Sequence, residues 1–227
     1  MGPSVVPSGL HGQVAQSVEQ EPEKLRVGGS IPSLPTVFSG WWLVGWTALI
    51  VGAMSAAIVS AYGPTQAGMH GVLRATARTS LTLFLAAFVA SPLRAAWPSR
   101  FADWLVENRR YLGVSFATSH TFHFAAIIGL TRVSPESPPA VVVALGGLGF
   151  VFIAAMAATS FDTTAAWLGA RRWKRLHTTG VYYLWIVFTL TALGAANRDP
   201  IAAVSVALLL SAMVLRLMRR RVLRPAV

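Results

Sequence analysis

The stretch "RRYLGVSFATSHTFHFAAII", Arg109 to Ile128, carries His120 and His123 inside an otherwise apolar run. Three residues apart, they share one face of a helix. A third imidazole, His177, follows "RRWKR" at the head of another apolar run. Imidazole is costly to bury without a partner, and ionisable residues inside a membrane bundle face partners or cofactors. Neutral imidazole is an axial ligand for haem iron, and a helix bundle can hold a porphyrin edge-on between two helices. The alternative is a histidine hydrogen-bonded to a hydroxyl or carbonyl of a neighbouring helix. His11 lies in a polar tail and carries no such expectation.

These histidines need a scaffold, and composition defines it. Of 227 residues 54% are hydrophobic and only 12% charged, with mean hydropathy +0.57. The apolar residues come in blocks of about twenty, the length of helix that crosses ~30 Å of hydrocarbon. An all-α integral membrane bundle of about six transmembrane helices is therefore expected. Its spans read Trp41–Tyr62, Thr76–Trp97, Tyr111–Leu130, Pro139–Ser160, His177–Ala196 and Ile201–Met218. Continuous rather than alternating apolarity excludes a barrel. There are no cysteines, so disulfides, thiolate metal sites and cysteine nucleophiles are excluded.

With the N-terminus inside, 15 of the 19 Lys and Arg fall on the cytoplasmic side and 4 outside (Arg74, Arg78, Arg132, Arg198), which puts both termini in the cytoplasm. The net charge of +11 thus reflects orientation, and no nucleic-acid partner is expected. Domain organisation follows: residues 1–39 a disordered polar tail, 40–218 the membrane domain, 219–227 a basic cytoplasmic tail. The tail string "VAQSVEQ…VGGSIPSL" is similar to the conceptual translation of a transfer-RNA gene, so a mis-assigned start and a native flexible tail both stand as readings.

"ATARTSLTLFLAAFVASPLR", "NRRYLGVSFATSHTFHFAA" and "LGARRWKRLHTTGVYYLWIVF", in this order on successive spans, resemble the ferric-reductase-like transmembrane domain over roughly Arg74 to Leu193. That superfamily includes the haem-binding membrane subunit of the periplasmic methionine sulfoxide reductase system, eukaryotic ferric reductases and NADPH oxidases. The resemblance implies a six-helix domain that carries haem b and passes electrons outward. It matches His123 and His177 to haem ligands. A third ligand would fall thirteen residues past His177, at Leu190, where the chain offers none. Depth adds to this departure, because His123 stands ~18 Å into its helix while His177 opens its own. His120 narrows the mismatch by ~4.5 Å. Three outcomes stand: a haem between His120 or His123 and a shifted His177, a five-coordinate haem on one histidine, or a scaffold that has lost its haem.

His70, Arg74 and Arg78 stand four apart, on one outer helix face, against the positive-inside trend. Arg78 is a candidate contact for a haem propionate or an anionic partner; solvated arginines are the alternative. The basic runs "RRWKR" and "RRRVLR" suit anionic lipid or an acidic electron donor. No flavin or NAD(P) module is readable, since "ALGGLGF" lies inside an apolar span and no G-x-G-x-x-G joins a strand to a helix. Electrons would come from a quinone or a separate flavoprotein and leave to an extracytoplasmic acceptor. The expectation is a haem-b electron-transfer subunit of the inner membrane; a haem-free membrane scaffold is the rival.

Overall fold

The structure, a computed structural model, describes residues 38–135 and 137–222, with side chains through residue 218. The tail expected over residues 1–39 thus falls almost wholly outside the described residues, as do residues 223–227. The described residues form eight helices: α1 Trp41–Tyr62, α2 Gln66–Ala96, α3 Arg100–Glu107, α4 Arg109–Val133, α5 Ala140–Ala158, α6 Asp162–Leu168, α7 Ala170–Ala195 and α8 Pro200–Val222. Among them, α1, α2, α5, α7 and α8 are long and apolar enough to cross a membrane. A multi-pass helical membrane protein is the result.

The sixth long helix, α4, has 25 residues but is diluted by serines, threonines and the two histidines. Leu112, Ser115, Phe116, Ser119 and Ala126 are buried, at separations of three, four and seven that keep them on one stripe. Opposite, α2 buries Val72, Thr76, Ser80, Phe84, Phe88 and Pro92, a row with strict spacing of four. Small residues on these rows let the two backbones approach closely. Ser80 and Ser119 hydroxyls meet at 2.9 Å, and the Phe84 and Phe116 rings at 5.7 Å.

Around this pair the helices close a ring: α4 touches α5, α5 packs on α7, α7 on α8, and α8 returns to α2, while α1 lies outside against α2 and α4. The core inside the ring is Phe84, Phe88, Phe116, Ile153, Leu184, Leu209 and Ala212. Gly180 permits the α5–α7 contact, since a Cβ there would come within 2.8 Å of Met156 Sδ.

Several helices start earlier than the apolar blocks do. α2 begins at Gln66 rather than Thr76, capped by Thr65, whose hydroxyl accepts from the Gly68 amide at 3.2 Å. α7 begins at Ala170 rather than His177, so His177 lies two turns inside its helix. Its basic first turns are helical because Gly169, at φ 79°, breaks the chain from α6 and leaves "ARRWKR" without a turn residue. Two short helices lie in the connections between the long ones. α3 is capped by Ser99, whose Oγ accepts from the Ala102 amide, and α6 follows Phe161.

Candidate functional site

The three histidines occupy two places. His123 reaches across the α2–α4 seam, its Nδ1 at 3.0 Å from Thr76 Oγ1. Thr76 is fully buried and its hydroxyl donates to the Val72 carbonyl at 2.7 Å. A hydroxyl has one proton, so the imidazole N–H is the donor in the pair and Nε2 keeps the lone pair. His120, one turn earlier, stacks on His123 with centroids 5.0 Å apart. Phe116, Phe150 and Phe188 surround it at 5.2, 5.0 and 6.0 Å, and its Nδ1 is buried with no hydrogen-bond partner.

His177 lies elsewhere. Its Nε2 is 3.1 Å from Thr159 Oγ1 at the end of α5, and the Thr159 hydroxyl donates to the Ala155 carbonyl at 2.7 Å. By the same count the imidazole donates and Nδ1 keeps its lone pair. Trp173 stacks on the ring at 4.2 Å and is itself tied down by its indole N–H, which donates to the Thr159 carbonyl.

The shared neighbour α5 measures the separation. His120 touches Phe150 and His177 touches Thr159, nine residues along α5 or ~13.5 Å at 1.5 Å per residue. Two axial nitrogens on one iron are ~4 Å apart, given metal–nitrogen bonds of ~2 Å. In this arrangement His177 and the His120–His123 pair do not share an iron. Nor do His120 and His123 flank one, since their rings stack directly on each other. Leu190 is 55% exposed, on the outside of the bundle, and buried Thr189 donates to the Trp185 carbonyl.

His177 lines a half-open cavity of about 560 Å³ bounded by α2, α4, α5, α6, α7 and α8. That is within the ~300–1,000 Å³ of sites that engulf a small ligand. Its depth is apolar (Phe84, Phe88, Phe116, Ile153, Leu184), and Arg109, Arg110, Lys174 and Arg216 also line it. Arg110 pairs with Asp162 at 2.8 Å through Nη1, while its buried Nε has no partner. Arg216 lies over the rings of Phe88 and Tyr182, at 4.4 and 5.2 Å, and donates to the Tyr182 hydroxyl and the Phe88 carbonyl, both at 3.1 Å. That carbonyl needs a donor because Pro92, four residues on, has no N–H to give it.

An apolar chamber with one imidazole on its wall and several cations fits an amphipathic macrocycle that bears carboxylates, and so fits haem held by a single nitrogen. The two-histidine arrangement does not fit. Among the described residues no three His, Asp or Glu converge on a bare metal ion.

Arg78 has an internal partner. Its Nη2 donates to Asp199 Oδ2 at 2.8 Å, joining α2 to the α7–α8 turn, while Asp199 Oδ1 accepts the Ile201 amide at the start of α8. The Arg78 hydrogen bond and then the Ile201 amide hold the Asp199 carboxyl below the usual carboxylate range. The expected propionate contact is therefore engaged within the chain, and Asp162 and Asp199 are each paired with an arginine. Thr76, Thr159 and Arg216 were not singled out by sequence reading. The spacing of four from Val72 to Pro92 was the available signal for Thr76; Arg216 was hidden among orientation-setting arginines.

Fold and site together define a multi-pass helical membrane protein with a histidine-bearing, cation-lined pocket that is partly open to its surroundings. Compared with protein-family models, curated proteins and solved structures, the chain has no significant match.

Proposed function

We propose that this chain is a haem-b-type transmembrane electron-transfer subunit of the ferric-reductase-like kind. It has six inner-membrane spans, α4 being the sixth, and both termini are cytoplasmic. Electrons come from a quinone or a separate flavoprotein and leave to an extracytoplasmic acceptor. The observation that carries this reading is the cavity at His177. When bound there, haem b would supply one-electron carriage. His177 would hold it through the imidazole nitrogen that Thr159 leaves unbonded, with Trp173 and Thr159 keeping the ring in one orientation. Arg109 and Lys174 would meet its carboxylates, since Arg110 and Arg216 are already engaged with Asp162 and with Phe88 and Tyr182. The rings of Phe84, Phe116 and Phe188, mutually packed at 5.2 to 6.0 Å, stand between the cavity and the His120–His123 pair.

The test is the visible spectrum of the purified, dithionite-reduced protein expressed with ample haem. A Soret band and b-type α-band lost in His177→Ala and kept in His120→Ala and His123→Ala support the reading. Their absence, even after titration with hemin, favours a haem-free membrane scaffold. That second reading draws on the closed aromatic packing around His120.

A further inference from the structure

At the end of the bundle opposite α3 and α6, a second half-open cleft of about 360 Å³ lies between the last turns of α1 and the first turns of α2. Ile58 and Tyr62 line it from α1; Gly71, Arg74, Ala75 and Arg78 line it from α2. The two helices meet at Gly71, where a Cβ would stand 3.0 Å from Ile58 Cγ2. Arg74 and Arg78 are exposed and four apart, so their guanidinium groups lie on one helix face. Asp199 holds Arg78 through Nη2, one of three nitrogens in a five-donor fork. Arg74 has no hydrogen bond or ion pair among the described residues. The other described carboxylates, Asp103, Glu107 and Asp162, belong to α3 and α6 at the far end. The cleft therefore keeps an uncompensated positive charge. An apolar row leads away from it. Tyr62, Ile58, Met54 and Ile50 recur every four residues down α1 along one ridge, and Ile50 is 60% exposed. At ~33 Å, α1 is long enough to carry this ridge from headgroup level into the hydrocarbon.

We propose that this cleft binds one anionic phospholipid, with the phosphodiester between Arg74 and Arg78 and an acyl chain along the Ile58–Met54–Ile50 ridge. Each half of the site selects one half of the molecule. Paired guanidinium groups recognise a tetrahedral oxyanion through charge-assisted hydrogen bonds, and basic pockets between transmembrane helices take lipid headgroups. A free phosphate would satisfy the arginines and leave the ridge unused. A choline lipid brings its own cation beside the phosphate, which offsets the attraction. The bound lipid ties α1, whose one fully buried residue is Val51, to α2. The site uses none of the histidines and stands apart from the electron-transfer reading.

Because the chain has no cysteine, a fluorophore on a single Ser60→Cys, two residues before Tyr62 on α1, reports this cleft alone in the full-length protein. The protein is placed in phosphatidylcholine nanodiscs, and the probe is phosphatidylglycerol bearing a nitroxide high on one acyl chain. The expected result is quenching that saturates while the labelled lipid is still a minor component. Arg74→Gln should weaken this binding about tenfold, the loss of one charge-assisted contact, whereas Arg74→Lys should retain most of it. Both variants should unfold at the wild-type temperature in lipid-free detergent, which separates loss of the site from loss of fold. Quenching that rises linearly with labelled lipid, or that Arg74→Gln leaves unchanged, overturns the proposal. So does equal saturation by phosphatidylcholine carrying the same nitroxide. Displacement of the labelled lipid by millimolar inorganic phosphate at constant ionic strength assigns the cleft to the free anion and overturns the lipid as its occupant.

Discussion

Thr76 and Asp199 illustrate how single polar groups are satisfied at opposite depths. Thr76 bridges the Val72 carbonyl and the His123 imidazole in the buried seam. Thr76→Val should cost ~1–3 kcal/mol, the penalty for a stranded buried donor, whereas Thr76→Ser should be close to neutral. Thermal unfolding of both variants in one detergent checks this. Asp199 is partly exposed, and its carboxyl is held below the ordinary range by Arg78 and the Ile201 amide. Its stabilisation is therefore complete above the unfolded carboxyl pKa and is lost as pH falls through the lower folded value. Asp199→Asn should flatten the acid limb of a stability–pH curve and leave neutral pH less affected, because the Asn oxygen still accepts from the Ile201 amide. An unchanged acid limb would contradict the assignment.

At the scale of helices, the connection between α2 and α8 rests on a backbone defect. Pro92 frees the Phe88 carbonyl, and Arg216 fills the gap from the neighbouring helix. The two positions should be coupled. Arg216→Leu alone strands the carbonyl, but in a Pro92→Ala background the residue 92 amide takes it back. A double-mutant cycle should show ~0.5–3 kcal/mol of coupling, the range for residues that share one partner. The α5–α7 contact is more easily broken. Gly180→Leu drives a branched side chain into Met156 and Phe152 and should destabilise by ~1–3 kcal/mol, the range for overpacking. Gly146, with open space beside it, should tolerate the same change far better in the same unfolding assay.

For the molecule as a whole, the question is which ends of the helices share a side of the membrane. The chain has no cysteine, so each single introduced thiol reports its own position without background. With six spans and cytoplasmic termini, thiols at Ser99 and Gly169 should label from the cytoplasm, and thiols at Thr65 and Arg198 from outside. A five-span topology without α4 would place Ser99 and Gly169 on opposite sides. The short helices α3 and α6 belong to the basic end, where Trp97 and Trp167 are 75% and 86% exposed, as side chains in a headgroup layer would be. Their fluorescence should be quenched by headgroup-level probes and much less by probes deep in the acyl chains.

Membrane-spanning length, the near absence of charge from the apolar blocks and the bias of arginines toward one end were all legible in the sequence. Each depends only on the local cost of polar groups in hydrocarbon, which is paid residue by residue. The stripe on α4 and the row of four on α2 were equally present in the string, though their meeting was not. Tertiary structure decided that His123 pairs with Thr76, that Arg78 finds Asp199 across 121 residues, and that Arg216 repairs Pro92. It also separated His177 from the other two imidazoles. Which helices are neighbours, and at what height, is fixed by packing between segments far apart in the chain, and no single segment encodes that.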